Sequence, residues 1–179
     1  YRMRFASFAI ADREYANEDG TVKLPNILSI TYLNMKYVDN TEPKLTAKIT
    51  FNQTYVDYDE DSNTLKFKKD ITLDEPLAVD GDVTIDLNGH IITGPKGGNT
   101  IEVVGSDSSL KVTDSSTGGK KGQIRGGQGT DGETGGNGGN GIYAPSSNGS
   151  NINIDDGIKV SGGKGGVGAD GKRGEQGKT

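Results

Sequence analysis

The chain opens on runs in which apolar and polar residues alternate. In RMRFASFAI the apolar positions are Met3, Phe5 and, less strictly, Phe8 and Ile10. ILSITYLNMKYV alternates through Leu28, Ile30 and Tyr32, slips by one residue, and resumes at Leu33, Met35 and Tyr37. KLTAKITFNQTYVDY keeps the period at Leu45, Ala47, Ile49 and Phe51, and TLKFKK repeats it at Leu65 and Phe67. A period of two turns one face of an extended strand into a core. These runs predict a small antiparallel β domain of four or five strands over residues 1–70, with a short helical turn in ADREYANEDG.

The pattern changes near residue 71. Short apolar stretches now alternate with Gly, Asn, Asp and Ser turns, and three segments superimpose. PLAV, DVTIDL and HIITG form the first. TIEVV, SLKVTD and GQIRGG form the second. GIYAP, NINIDD and GIKVSGG form the third. Three short strands per unit, with β-branched residues facing inward, is the pattern of a solenoid whose units stack because none can bury its own face.

The stretch ITLDEPLAVDGDVTIDLNGHIITG, and DVTIDLNGHIITG (Asp82–Gly94) above all, resembles the opening coils of right-handed parallel β-helices of the pectate-lyase-like kind. The resemblance covers residues 71–161. It implies an all-β chain in which the N-terminal antiparallel domain is followed by a short right-handed parallel β-helix. Such coils are common in bacterial surface proteins and phage tail proteins, and one fold serves many functions.

Glycine then falls on every third position in two runs. The first has Gly126, Gly129, Gly132, Gly135, Gly138 and Gly141; the second has Gly162, Gly165, Gly168, Gly171, Gly174 and Gly177. A collagen triple helix and packed polyglycine II strands both use three residues per turn and about 3.1 Å of rise. A flexible linker has no need of a strict period. The first run lies between GQIRGG and GIYAP, which read as neighbouring strands, so its ends must meet. Extended, it would span roughly 50 Å, so it must fold back as an excursion at 126–141. The second run, 162–179, carries Lys172, Arg173 and Glu175 around Gly174 and resembles proline-poor collagen-like sequence. A second side loop and a collagen-like stem both remain open for it.

Composition narrows the chemistry. Of 179 residues 29 are glycine, only 30% are apolar, there is no Cys or Trp, and net charge is −5. That charge argues against nucleic acid, which demands clustered Lys and Arg. The missing Cys excludes disulfides and thiolate metal sites. No apolar run approaches the roughly 18 residues of a membrane span. No signal peptide is visible, and the start at Tyr1 reads as a fragment or a processed form.

Few residues suggest a site. Asp57, Asp59 and Asp61 alternate as at the start of a calcium loop, but Ser62 and Lys68 stand where the turn glycine and the bidentate acid belong. A solvated hairpin turn between KITFNQTYV and TLKFKK is the preferred explanation of them. His90, the sole histidine, has no Ser or Cys motif beside it and reads as a turn residue, with Asn88 hydrogen-bonding along a stack of turns. Asp82, Asp86, Asp114, Asp155 and Asp156 are the acids available to a polysaccharide-cleaving site. Asp114 and Asp156 both end the middle strand of their units, so they are expected one coil apart, about 4.8 Å. The sequons at Asn52 and Asn148 carry no weight in so polar a chain.

The expectation is therefore a non-catalytic structural or attachment protein without a cofactor, calcium at Asp57, Asp59 and Asp61 aside. It is a phage tail-fibre or baseplate appendage, extracellular on a virion, that docks through residues 1–70. The alternative is a bacterial cell-surface adhesin or filament subunit, with RMRFASFAI completing a neighbour's sheet. A polysaccharide-binding or -cleaving protein is third. The expected partners are further copies of the chain and a cell-surface glycan or protein receptor.

Overall fold

A computed structural model describes residues 3–5, 8–10, 26–38, 42–145, 147, 149–169 and 174–178. The chain is all-β, with mixed and parallel sheets and no α-helix among the described residues. The helical turn expected in ADREYANEDG lies outside them.

Three antiparallel hairpins come first. β1 (Met3–Phe5) pairs with β2 (Phe8–Ile10), so RMRFASFAI is two strands rather than the single one expected. The three-residue step from Phe5 to Phe8 breaks the period of two, and the strand ends there. β3 (Leu28–Val38) pairs with β4 (Glu42–Phe51), and its register shifts between Ile30 and Tyr32. One extra residue in one strand inverts which positions share a face. That is the physical content of the slip in ILSITYLNMKYV. β5 (Val56–Asp59) and β6 (Thr64–Phe67) form the third hairpin.

From there the pairing turns parallel. The next strands are β7 (Ile71–Thr72), β8 (Leu77–Val79), β9 (Asp82–Asp86), β10 (Ile91–Thr93), β11 (Ile101–Val103) and β12 (Ser109–Thr113). β13 (Gln123–Arg125), β14 (Ile142–Tyr143), β15 (Asn151–Ile154) and β16 (Lys159–Ser161) follow. They sort into three sheets: β7-β10-β13-β16, β8-β11-β14, and β5-β6-β9-β12-β15. Every third strand therefore returns to the same sheet. The hairpin β5–β6 belongs to the third of these, because β6 runs parallel to β9.

Register lines up the apolar side chains in columns. Leu65, Ile85, Val112 and Ile154 are successive partners, as are Val83, Leu110 and Ile152. Ile71, Ile92, Ile124 and Val160 form a third column, and Leu77, Ile101 and Ile142 a fourth. The three sequence segments superimpose in this register. Leu65, Ile85, Ile92, Ile101, Leu110, Val112 and Ile124 are fully buried in one core, which also holds Ile27, Val56 and Phe67. Parallel strands sit about 4.8 Å apart, so each column is a continuous apolar stack.

Turns at the corners follow from residue type. Asn88 (φ 47°) and Gly89 (φ 79°) in LNGH take the left-handed region, which Asn and Gly tolerate best. Asn88 Nδ2 donates to the Phe67 carbonyl one layer below, at 3.0 Å.

Truncating the middle of a column should cost far more than truncating its outer face. Ile85→Ala is expected to lower stability by about 3 kcal/mol, and Lys111→Ala, on the exposed face, by no more than about 0.5 kcal/mol. Urea midpoints measure both.

Candidate functional site

The glycine runs form four extended segments that lie beside the sheets. Residues 126–132 run outward from β13 and 135–141 return to β14. Residues 162–168 leave β16, and 174–178 come back alongside them. Gly126, Gly129 and Gly132 donate to the carbonyls of Ser161, Lys164 and Val167 at 2.8, 2.8 and 3.1 Å. Gly138 and Gly141 donate to Glu175 and Lys178 at 2.9 and 3.3 Å. Each series steps by three residues, so the outgoing segments are parallel to each other and the returning ones likewise.

A second set of bonds joins outgoing to returning segments. Gly127 donates to Gly98, Gly139 to Gly127, Gly163 to Gly139 and Gly177 to Gly163, at 2.9, 2.8, 2.8 and 2.9 Å. Gly136, Gly166 and Gly174 continue the pattern, donating to Thr130, Gly136 and Gly166 at 2.7, 2.8 and 2.8 Å. With three residues per turn, successive amides point in three directions. Two of them meet neighbouring backbones, and the third side chain faces water, as at Gln128 and Lys164.

This packing explains the period, and it requires a second glycine frame that the sequence reading missed. A Cβ at Gly126, Gly138, Gly162, Gly165, Gly174 or Gly177 would overlap a carbonyl oxygen of the adjoining segment. So would a Cβ at Gly127, Gly139, Gly163 or Gly166. The signal was present as the doublets Gly126–Gly127, Gly138–Gly139, Gly162–Gly163 and Gly165–Gly166. At Gly132, by contrast, a Cβ would meet nothing within 4 Å.

Amide side chains stitch the layers as well. Asn99 Oδ1 accepts from the Asn140 amide at 2.8 Å, and Asn140 Oδ1 accepts from the Lys178 amide at 2.7 Å. Asn137 and Asp131 do the same for Glu175 and Val167, at 3.1 and 2.7 Å. These residues sit at third positions of their triplets, where a short side chain reaches the next layer's N–H.

The acids expected to carry chemistry are mostly bound into the scaffold. Asp114 is buried, and its carboxylate accepts from the amides of Gly122 (2.6 Å), Ser116 (2.9 Å) and Gly89 (3.0 Å) and from the Ser116 hydroxyl. Burial raises its pKa, but the bonds from Ser116, Gly122 and Gly89 outweigh that and hold it down at about 2. Asp86 accepts from the amides of Asn88 and Ser115 and from the Ser115 hydroxyl, and Lys66 lies 3.6 Å away. Asp155 takes the Thr113 hydroxyl at 2.6 Å, Asp156 is exposed, and so is Asp82. Asp114 thus faces backbone donors from Gly89, Ser116 and Gly122, and the proposed pair with Asp156 has no shared ligand among them. His90 contacts Asp70 at 3.3 Å, and the Ile91 amide, donating to Asp70 at 2.9 Å, is the main reason that carboxyl sits below its usual range.

The calcium candidates do not come together. Asp57 pairs with Lys68 at 3.0 Å. Asp59 accepts from the Ser62 hydroxyl and the Asp61 amide, at 2.7 and 3.1 Å, which lowers its pKa. Asp61 is exposed in the hairpin turn. Among the described residues no three His, Asp or Glu side chains are placed to hold a metal ion.

One surface leaves several of its polar side chains without partners among the described residues. A groove of about 360 Å³ is lined by Thr72, Thr93, Gly94, Lys96, Gln128, Gly129 and Asp131. At Thr72 and Thr93 it joins a hollow of about 260 Å³ bounded by Asp70, Ile71, Ile91 and Arg125. Its floor is the outer face of β7, β10 and β13, where Thr72, Thr93 and Arg125 are register partners. The side chains of Thr72, Thr93, Lys96 and Gln128 have no hydrogen-bond partner among the described residues. Comparison with protein-family models, curated proteins and solved structures finds no match.

Two outcomes test these contacts. Gly163→Ala should destabilise the chain by about 1–3 kcal/mol, as overpacking does, while Gly132→Ala stays within about 0.5 kcal/mol; denaturant melts measure both. Asp114 has a depressed pKa, so its stabilisation is complete above the unfolded value of 3.8 and is lost as pH falls through about 2. The shift corresponds to about 2 kcal/mol. Asp114→Asn should cost about that much at pH 7, with the gap to the native chain closing between pH 5 and pH 2.

Proposed function

We propose that the three parallel sheets are the faces of a short right-handed parallel β-helix, and that the chain is a non-catalytic attachment protein, part of a phage tail-fibre or baseplate appendage. The winding is supported by strand order. β7–β9, β10–β12 and β13–β15 each give one strand to each sheet, in the same sequence, and β16 begins a fourth pass. The link between the first and second strand lengthens from 73–76 to 94–100 to 126–141. The glycine segments at 126–141 and 162–178 are then side loops in a polyglycine II arrangement, whose three-residue hydrogen-bond step matches that geometry.

One observation carries the attachment reading. Polar groups inside the scaffold are consumed by backbone donors, while those of the groove at Thr72, Thr93, Lys96 and Gln128 are left for a ligand. The groove is open and walled on one side by the glycine segments. Its hydroxyls, amide, ammonium and carboxylate suit a hydroxyl-rich polymer such as a cell-surface glycan. Its floor residues Thr72, Thr93 and Arg125 step by about 4.8 Å along the sheet, so a linear ligand can meet a polar side chain in each layer. In this reading residues 1–70 dock to the particle, and the groove and glycine segments face the host.

The test is binding of the labelled chain to a panel of immobilised bacterial surface polysaccharides. Saturable binding is expected, weakened about tenfold, or 1.4 kcal/mol, by combined Lys96→Ala and Gln128→Ala and unchanged by Lys111→Ala on another sheet. Binding indifferent to the groove substitutions would remove the site. Release of new sugar ends on incubation would overturn the non-catalytic assignment.

A further inference from the structure

The row of side chains beside the groove continues across successive layers. Gly97 donates to the Gln128 carbonyl at 2.7 Å and Gly129 to the Lys164 carbonyl at 2.8 Å. The floor is bonded in the same register, Gly94 to Arg125 and Gly126 to Ser161, at 2.9 and 2.8 Å. Lys96, Gln128 and Lys164 are therefore equivalent positions in successive layers, as are Thr93, Arg125 and Ser161. Lys96, Gln128 and Lys164 are all exposed. Gln128 stays exposed although the layer of Lys164 follows it, so this row opens sideways rather than at an end of the stack.

Positive groups on this surface lack a counterion. Lys96, Arg125 and Lys164 make no ion pair among the described residues. Arg125 Nε and Nη2 donate to Gln123 Oε1, at 3.2 and 2.8 Å, which holds the guanidinium along its strand and leaves Nη1 unbonded among the described residues. The acids that line the groove are instead occupied by backbone N–H groups. Asp131 accepts from the Val167 amide at 2.7 Å, and Asp70 from the Ile91 amide at 2.9 Å with His90 3.3 Å away. Lys120 adds positive charge near Asp70.

We infer that the groove takes an acidic glycan, a linear chain laid across the layers with its carboxylates at Lys96, Arg125 and Lys164; the inference rests on the glycan reading proposed above. Spacing favours such a ligand. Lys96 and Lys164 are two layers apart, about 9.6 Å of backbone, with Arg125 in the layer between. One sugar of an extended chain is about as long as one layer, so a carboxylate on every second sugar recurs in step with the two lysines. Thr72 and Thr93 present hydroxyls to the sugar hydroxyls along the way. The unbonded N–H groups of Arg125 meet a carboxylate as hydrogen-bond donors, and each lysine meets it as a point charge. The lining has no aromatic side chain on which a base could stack, which sets a nucleic acid aside. These charges lie at the surface, so added salt weakens their contacts.

Surface plasmon resonance of the 179-residue chain tests this on immobilised hyaluronan, alginate and polysialic acid, each beside its carboxyl-methylated form. At least one acidic form should bind about tenfold tighter than its ester, and the difference should shrink as salt is raised. Lys96→Gln with Lys164→Gln should abolish that preference with circular dichroism unchanged, whereas Lys111→Gln, on another sheet, leaves it intact. Equal binding to acid and ester, still weakened by Gln128→Ala, would overturn the acid preference and keep the glycan reading. The same holds if no acidic form binds while neutral polysaccharides bind in a groove-dependent way. Groove-independent binding, or none to any polysaccharide, would remove both. Equally tight binding to single-stranded DNA would overturn the inference, because charge alone would then be read.

Discussion

Backbone amides in the glycine segments have to find acceptors without the help of a regular β ladder. Their solution is a lattice of extended strands in which each amide turns toward a different neighbour. The run of bonds from Gly98 through Gly127, Gly139 and Gly163 to Gly177 crosses five backbone segments. Ordering glycine is costly, since it loses more freedom on folding than any other residue. Each bond returns only about 1 kcal/mol net. The lattice holds because almost every inner position contributes one, and because no side chain intervenes.

The sheets provide the template for that lattice. Register places the ends of β10, β13 and β16 in line, so the segments leaving them start side by side. The apolar columns of Ile71, Ile92, Ile124 and Val160 and of Leu65, Ile85, Val112 and Ile154 fix that register, since a slip by one residue would turn each column outward. Asp114 contributes at another corner, tying Gly89, Ser116 and Gly122 into one bend. Hydrophobic burial thus sets the layer spacing, and hydrogen bonding by glycine and asparagine extends the same layers beyond the core.

Much of this was legible in the sequence. Alternation marked β3, β4 and β6, the slip at Tyr32 marked the register shift, and the three superimposed segments are the strands that pair. Fold-back of the first glycine run followed from its two neighbours. Other features were hidden. The break between β1 and β2 left only a three-residue step. The pairing of β6 with β9 is a long-range contact that no local pattern encodes. Asn99, Asn137 and Asn140 looked like ordinary loop residues, because their role exists only once another layer lies beside them. The acids at Asp57, Asp59 and Asp61 had the spacing of a cation loop. Their hydrogen bonds to Ser62 and Asp61 and the ion pair with Lys68 are those of a hairpin.

The central claim is the three-residue lattice, and amide hydrogen exchange followed by NMR reads it residue by residue. The account predicts slow exchange at Gly127, Gly129, Gly139 and Gly163, whose amides are bonded to neighbouring segments, and fast exchange at Gln128, Asn137 and Lys164, exposed residues whose amides donate no backbone bond among the described residues. Uniformly fast exchange across residues 126–141 and 162–168 would contradict it, leaving those residues as an unstructured linker.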